Sequence, residues 1–596
     1  MTSEELRQQF LDFFKEKGHR IIPSSSLIPE NDPSVLFTTA GMQQFKYYYT
    51  GKQNPLVDKH FSISEPLNNK NVATCQKCLR TSDIESVGDQ SHLTFFEMLG
   101  NFSFGGYFKK EAITFAYELL NSKFHIPDSR ITVTVFEGDK NIPRDEESAK
   151  TWYQFGFSEK NGNLLFLGKD SNFWGPTGNE GPCGPTTEIY VDGIEIWNLV
   201  FNEYYKHLDQ TLTPLTIKGV DTGMGLERLA LVTQYPQDKN KTIYDTDLFQ
   251  DLLTYLKHQG TKQESDNLYR IIADHFKASV FLAGTGIVPS NTQQGYILRR
   301  LIRRIVRFSK ILNFKNNWIA EAYEIIKEKY GYFYPEINNQ EEILSIIDQE
   351  TNKFESSLIK GLKEWQRIVS QLSEQEKTIP GATAFYLYES YGFPIEILEE
   401  MAKEINKTVD RSSFEAEFQK HQVISRASQE KKFGGHGINE VKDEDSKKQI
   451  IKLHTATHLL LAALRQIIDS KIEQKGSDIT PERLRLDFPF SRKLTEEEIK
   501  KIENLINQKI QENLEVHFYE TNYEQAIKEG ALGSFKDRYP EKVTVYEIKS
   551  PQDNTIFSKE ICAGPHVSST KEMGVFKIIK EESVGQGIRR IKATLI

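Results

Sequence analysis

Cysteine is scarce, with four in 596 residues: Cys75, Cys78, Cys183 and Cys562. So few thiols cannot staple a chain of this size, which excludes a disulfide framework and fits a reducing compartment. Long apolar runs are also missing. Nothing comes near the roughly 18 consecutive apolar residues that a membrane-spanning helix needs, so no membrane partner is expected. An excess of basic charge is absent too. With 75 Lys and Arg against 84 Asp and Glu, and a formal net charge of −9, indiscriminate nucleic-acid binding is excluded, and any RNA surface must be a local stripe. The opening Met-Thr-Ser-Glu-Glu-Leu places acids where a targeting peptide would carry Lys or Arg ahead of an apolar run. A cytoplasmic protein is the expectation. No repeat at a fixed period occurs, which excludes a solenoid.

The chain is too long for one hydrophobic core, and several domains are expected. Residues 1–235 mix short β-like runs, such as Ile131-Thr-Val-Thr-Val-Phe136 and Glu195-Ile-Trp-Asn-Leu-Val-Phe201, with Gly, Pro and aromatic residues. Residues 236–425 turn to apolar spacing of 3.6, as in Ile343 to Leu362, and should be helical. Residues 426–446 are polar, glycine-containing and charged, as an exposed linker is. Residues 447–596 open with a helix carrying two histidines and end in strand-like segments such as Lys542-Val-Thr-Val-Tyr-Glu-Ile548. The fold class expected is multidomain α+β.

Three segments of the first domain read as parts of one nucleotide site. One runs from Phe13 through Ser24-Ser-Ser-Leu-Ile-Pro to Leu36-Phe-Thr-Thr-Ala-Gly-Met-Gln-Gln-Phe-Lys46. The second is Thr74-Cys-Gln-Lys-Cys-Leu-Arg80, a loop through Gly88, then His92-Leu-Thr-Phe-Phe-Glu-Met-Leu-Gly-Asn-Phe. The third, Val220-Asp-Thr-Gly-Met-Gly-Leu-Glu-Arg-Leu-Ala230, is a strand whose glycines permit close backbone approach before a helix, a setting that with its Arg suits phosphate. Singly these fragments say little, and Phe95-Phe96 would by default be core. Their order along one chain reverses that. Cys75-x-x-Cys78 lacks a second pair nearby to complete a four-ligand set, and reads as structural.

Together the three segments resemble the signature motifs of class II aminoacyl-tRNA synthetases, in the wording of the alanyl-tRNA synthetase family. The resemblance implies an antiparallel sheet flanked by helices, followed by a helical tRNA-recognition domain. ATP, with Mg²⁺, alanine and tRNA(Ala) are the implied partners. Carboxylate activation releases pyrophosphate, so fixed cations should dominate over acid or base catalysis. By resemblance Arg80 holds the α-phosphate and the alanine carboxylate, Arg228 the γ-phosphate, and Phe96 stacks on adenine. His92 and Glu97 line the same pocket. Asp221 with Asn198 grips the ammonium group, and Met42, Trp174 and Val200 wall the methyl. Arg80, Asp221 and Arg228 are the expected catalytic set.

In Tyr296-Ile-Leu-Arg-Arg-Leu-Ile-Arg-Arg-Ile-Val-Arg307 the arginines at 299, 300, 303, 304 and 307 fall on one helical face, and the apolar residues on the other. Either the face is solvated beside acidic partners, or it is a phosphate stripe for the acceptor stem. Arg299, Arg300, Arg303 and Arg304 are taken as tRNA-binding candidates. The resemblance adds Asn291 and Glu389 as readers of a G·U pair, Glu389 standing where the family has Asp.

His454-Thr-Ala-Thr-His458 puts two imidazoles on one helical face about 6 Å apart, and Cys562-Ala-Gly-Pro-His566 offers a thiolate and a third imidazole. Together they make a Cys-His₃ zinc set, without the Glu of a His-Glu-x-x-His protease. The text around Gln474, Arg483 and Gly587 resembles the family's α+β zinc-binding editing domain, with Gln474 a helper in hydrolysing Ser-tRNA or Gly-tRNA. Relative to longer members, the small barrel before His454 and the C-terminal coiled coil and RNA-binding module are missing, and a monomer is expected. Two alternatives stay open: an editing hydrolase with a decayed synthetase half, and a silent RNA-binding regulator.

Overall fold

The strand-like runs of the first third pair into a single sheet. The computed structural model describes residues 1–30, 35–176, 178–260, 266–315, 317–373, 376–430, 443–490, 492–533, 542–585 and 588–596. These divide into two units, Met1–Val409 and Asp410–Ile596.

In the first unit the sheet contains β1 (Arg20–Ile21), β2 (Asn71–Leu79), β3 (Phe95–Phe104), β4 (Ile131–Phe136), β5 (Leu164–Leu167), β6 (Gly181–Val191), β7 (Ile194–Lys206) and β8 (Leu212–Gly225). The spatial order is β1-β2-β3-β8-β7-β6-β4-β5, and the short strand Phe173–Trp174 pairs with β6 beside that path. Pairing is antiparallel from β2 through to β4. At both edges it is parallel, β1 with β2 and β4 with β5. The sheet is therefore mixed, with the expected antiparallel centre. Helix α1 (Ser3–Glu16) starts on a Thr2–Glu5 capping box and buries Leu6, Phe10, Phe13 and Phe14, spaced to share one face. β8 ends at Gly225 and runs straight into α2 (Leu226–Gln234).

The helical region after residue 236 belongs to this same unit. It includes α3 (Asp266–Gly284), α4 (Gln293–Ile311), α5 (Gln340–Gln371), α6 (Gly381–Tyr391) and α7 (Ile395–Glu404). α3 docks on β3, where Phe281 stacks on Phe95 at 4.0 Å and Asp274 accepts the Thr94 N–H at 2.9 Å. The change of pattern near 235 is thus a change of secondary structure inside one packed body.

Of the expected linker, residues 426–430 end a helix, Arg411–Glu430, residues 431–442 lie outside the described residues, and 443–446 open the next helix. That helix, α8 (Glu444–Ile467), is capped by the Asp443 side chain, so His454 lies well inside it and not at its start. β9 (Gly476–Thr480), β10 (Arg483–Pro489), β14 (Phe576–Gly585) and β15 (Ile588–Leu595) form an antiparallel sheet in the order β9-β10-β15-β14. β11 (Glu515–Asn522), β12 (Lys542–Lys549) and β13 (Ile556–Ile561) form a second. α8 and α9 (Glu496–Gln511) bury Leu453, Leu460, Ile502 and Ile506 against Leu484, Leu486 and Ile591, a core of ordinary apolar character. Among the described residues no helix is long and apolar enough to cross a membrane.

Candidate functional site

Side chains alternate across a strand, and residues directly opposite on neighbouring strands share a face. The register pairs Asp221 with Val200, Gly223 with Asn198, and Asn198 in turn with Glu188. On β3, Phe96 and Met98 point to that same face. These residues, with Trp174, Glu195, Arg228 and the loop residues Arg80, Asp83 and His92, line a cavity of about 360 Å³. At Gly223 the Met98 side chain lies close over the strand, and a Cβ there would meet its Sδ at 2.8 Å and push it aside. At the rim, the Arg80 guanidinium lies 5.0 Å from the Phe96 ring centre, and Arg228 donates to the Glu195 carboxylate at 2.9 Å and its carbonyl at 3.0 Å. His92 pairs with Asp89.

Asp221 sits on the cavity floor, 6% exposed, with no cation within ion-pair distance among the described residues. Burial alone lifts its carboxyl to about 8. Asn198 donates to Glu188 at 3.1 Å, while its own Oδ1 is buried without a hydrogen-bond partner among the described residues. Burial also raises Glu188, against the hydrogen bond that Tyr190 donates to it. Among the described residues the floor thus presents a buried acid without a charge partner beside an amide oxygen without a donor.

Two expectations for this pocket are corrected. Glu97 follows Phe96, so the pleat sends it to the other face, where Arg7 grips it twice, at 2.9 and 2.7 Å, and Tyr334 donates at 2.6 Å. Burial works against ionisation, but Arg7 outweighs it and Glu97 titrates below the ordinary carboxylate range. Glu97 ties α1 to the sheet and does not line this cavity. Met42 is 1% exposed in the cluster against which Trp174 and Met98 pack, so it backs the wall without lining it. Cys75 and Cys78 are both buried in β2 and free, as a structural pair would be.

The arginine face of α4 is not a solvated stripe. Arg300, Arg303, Arg304 and Arg307 are each less than 9% exposed. Arg303 pairs with Glu350 of α5 through its Nε at 2.7 Å, Arg304 with Glu400 at 3.0 Å, and Arg307 with Glu404 at 2.6 Å. Arg300 pairs with Glu85 and lies 3.9 Å from Glu396. Burying a guanidinium demands such partners, and they leave none of these four free for phosphate. The signal was present: Glu396, Glu400 and Glu404 repeat at i, i+4 and i+8 on α7 and match arginines at 300, 304 and 307. Arg299 is half-buried, pairs with Glu350 at 3.3 Å and donates to the exposed Asn291. Glu389 is exposed on α6, whose C-terminal Gly392 carbonyl accepts from Arg303.

In the second unit, residues 104–112 positions apart converge. The donor atoms of His454, His458, Cys562 and His566 all lie within 4.8 Å of one another. Cys562 Sγ is 3.3 Å from His454 Nε2. The other ring nitrogens are anchored outside: His454 Nδ1 at the Pro565 carbonyl, 3.1 Å; His458 Nδ1 at Glu560, 3.2 Å; His566 Nδ1 at the Thr455 hydroxyl, 3.2 Å. Such outer contacts select the tautomer that turns Nε2 inward, as imidazole metal ligands require. Glu560 and Thr455 escaped the sequence reading, although each neighbours a ligand. Gln474, just before β9, donates to Ser477 Oγ at 3.0 Å.

Comparison with known proteins agrees with this geometry. Residues 5–479 match the model of the family described as tRNA synthetases class II (A), and residues 543–592 that of the threonyl and alanyl tRNA synthetase second additional domain. The chain is 43% identical to an alanine–tRNA ligase of Borreliella afzelii, each covering 100% of the other. It is 40% identical to that of Treponema pallidum, over 100% of this chain and 98% of the relative. Against the Dehalococcoides mccartyi enzyme it is 34% identical, over 99% of this chain and 80% of the relative.

Proposed function

The chain belongs to the class II aminoacyl-tRNA synthetases, in the family of alanine–tRNA ligases, and from that premise we propose how its two units share the work. It is a ligase that spends ATP to join alanine to tRNA(Ala), with a C-terminal domain of the editing kind. The observation that carries our assignment is Asp221, a buried carboxylate lacking a cation, below a rim of two arginines.

In this reading Asp221 and Asn198 Oδ1 take the ammonium of alanine, and Val200 and Trp174 enclose its methyl. Arg80 draws the alanine carboxylate and the α-phosphate together. The carboxylate oxygen attacks phosphorus, pyrophosphate leaves, and Arg228 follows the charge on the departing phosphates. Prepositioned cations supply the stabilisation, so no general base is needed for this half-reaction. Phe96 stacks on adenine and His92 closes the loop side. The Mg²⁺ that accompanies ATP takes oxygen ligands, and Asp83, Asp170, Glu188 and Glu195 are among the carboxylates that line the cavity. The 3′ hydroxyl of tRNA then displaces AMP, with Asn291 and Glu389 reading the acceptor stem.

A pocket sized to one methyl rejects glycine by only about 1–3 kcal/mol and resists serine's hydroxyl poorly, so a second, hydrolytic site has a purpose. The Cys-His₃ cluster fits zinc by donor type, proximity and its anchored outer nitrogens. Zinc held by His454, His458, Cys562 and His566 would orient or polarise the misacylated ester. Gln474 is a helper at the same step.

The test is a reciprocal pair. Asp221→Ala should abolish alanine-dependent ATP–pyrophosphate exchange and spare hydrolysis of Ser-tRNA, while Cys562→Ala should lose bound zinc and that hydrolysis and spare exchange. Wild-type protein without alanine-dependent exchange would instead favour a decayed synthetase or an RNA-binding regulator.

A further inference from the structure

The loop 81–93 between β2 and β3 contributes Asp83, Ser91, His92 and Leu93 to the cavity and follows directly on Arg80, so its position sets the ATP end of the site. Its ends are closed by Arg80 N–H donating to the Thr94 carbonyl at 2.9 Å. The segment 243–245 holds its far side, where the Tyr244 hydroxyl donates to the His92 carbonyl at 3.1 Å and the Ile243 N–H to the Gln90 carbonyl at 3.4 Å, and its near side is held by helices α3 and α4. Asp274 accepts the Thr94 N–H at 2.9 Å, and Arg270 reaches the Asp89 carbonyl at 3.4 Å. At Gly88, φ is +106° and a Cβ would meet Asn267 Oδ1 at 1.7 Å, so the loop lies flat on the first turn of α3 as only glycine permits.

Arg304 is the centre of this clamp. From α4 it donates to the Ile84 carbonyl at 2.7 Å, contacts His275 Nε2, and pairs with Glu400 of α7 at 3.0 Å. His275 donates its Nδ1–H to Asp274 at 2.9 Å, the carboxylate that holds Thr94. Arg300, one turn earlier, takes Glu85. Both arginines are buried, and their partners lie within the loop or on the helix behind it. A planar guanidinium spreads directed N–H groups over three nitrogens and so can reach a carbonyl, an imidazole and a carboxylate lying in different directions, a geometry that lysine's donors on one nitrogen do not reproduce.

We propose that Arg304, with Arg300, is a positioning residue for amino-acid activation: it fixes the ATP-site loop from behind through Ile84 and Glu85 and does not contact RNA. The inference rests on the activation reading above, and its failure is separable from failure of that reading, because wild-type exchange tests the latter.

The experiment compares wild type, Arg304→Lys, Arg304→Gln, Arg300→Gln and Gly88→Ala by alanine-dependent ATP–pyrophosphate exchange, by tRNA charging and by thermal unfolding. Loss of charge-assisted hydrogen bonds should lower kcat/KM for ATP about tenfold or more in the Arg304 variants. KM for alanine should change less, and charging should fall in proportion to exchange. Gly88→Ala, which disturbs the same loop without touching either arginine, should show the same ATP-weighted signature. The proposal is overturned if the folded Arg304 variants exchange normally but charge tRNA poorly, which would make the helix an RNA contact. Lowered melting temperature with unchanged kinetic constants would overturn it as well, leaving Arg304 a purely structural ion pair.

Discussion

Asp221 and Glu97 are both buried carboxylates on the central strands of one sheet, yet their chemistry is opposite. Glu97 has Arg7, Tyr334 and Cys75 around it and stays ionised. Asp221 has no cation among the described residues and is pushed up to about 8. Burial costs each the same kind of desolvation, and only one is compensated inside the fold. The saturated carboxylate is architecture. The unsaturated one is available to a ligand, and in the function proposed above a substrate ammonium supplies what the fold withholds. The same rule separates the arginines: those of α4 are consumed by Glu350, Glu396, Glu400 and Glu404, whereas Arg80 has the Phe96 face and a single long hydrogen bond to the Thr39 carbonyl at 3.4 Å.

The largest effect should come from Asp221→Asn. Removing the charge that meets a desolvated ammonium costs on the order of 3 kcal/mol or more, so kcat/KM for alanine in exchange should fall about a hundredfold or further. The same change should raise the melting temperature. An acid whose folded value lies above its unfolded one loses stability as pH rises between them, so the gain over wild type should widen from pH 4 to about pH 8. A less stable Asn variant would mean that the charge is compensated after all.

Glu97→Ala should do the reverse, lowering stability by roughly 3–5 kcal/mol by stranding Arg7. Denaturant unfolding measures it, and a loss below about 1 kcal/mol would break the contrast. The smallest effect is the pH profile. Capture of an ammonium needs the Asp221 carboxylate, so kcat/KM for alanine should drop by up to about tenfold per unit below pH 8 and level off above it. A flat profile from pH 6 to 8 would sink the assignment of Asp221 to the ammonium.

Local pattern carried the elements that periodicity can mark. The runs at 131–136, 195–201 and 542–548 became strands, the 3.6-spaced stretch after 340 became α5, and His454 and His458 shared a helical face. Pattern failed where burial and pairing depend on what lies opposite. The resemblance puts Glu97 in the pocket with Phe96, but the pleat sends neighbours to opposite faces. The arginine helix was half misread because these partners, on α5 and α7, are 47–97 residues distant in the chain.

By itself the sequence determined the donor inventory, a Cys-His₃ set and a shortage of thiols and apolar runs, through residue type and spacing, and the three motifs in order carried the family resemblance that points to the chemistry. Tertiary structure decided which charged groups are spent and which are available. That distinction depends on desolvation and on partners brought from remote elements, and neither is a property of any one stretch of chain.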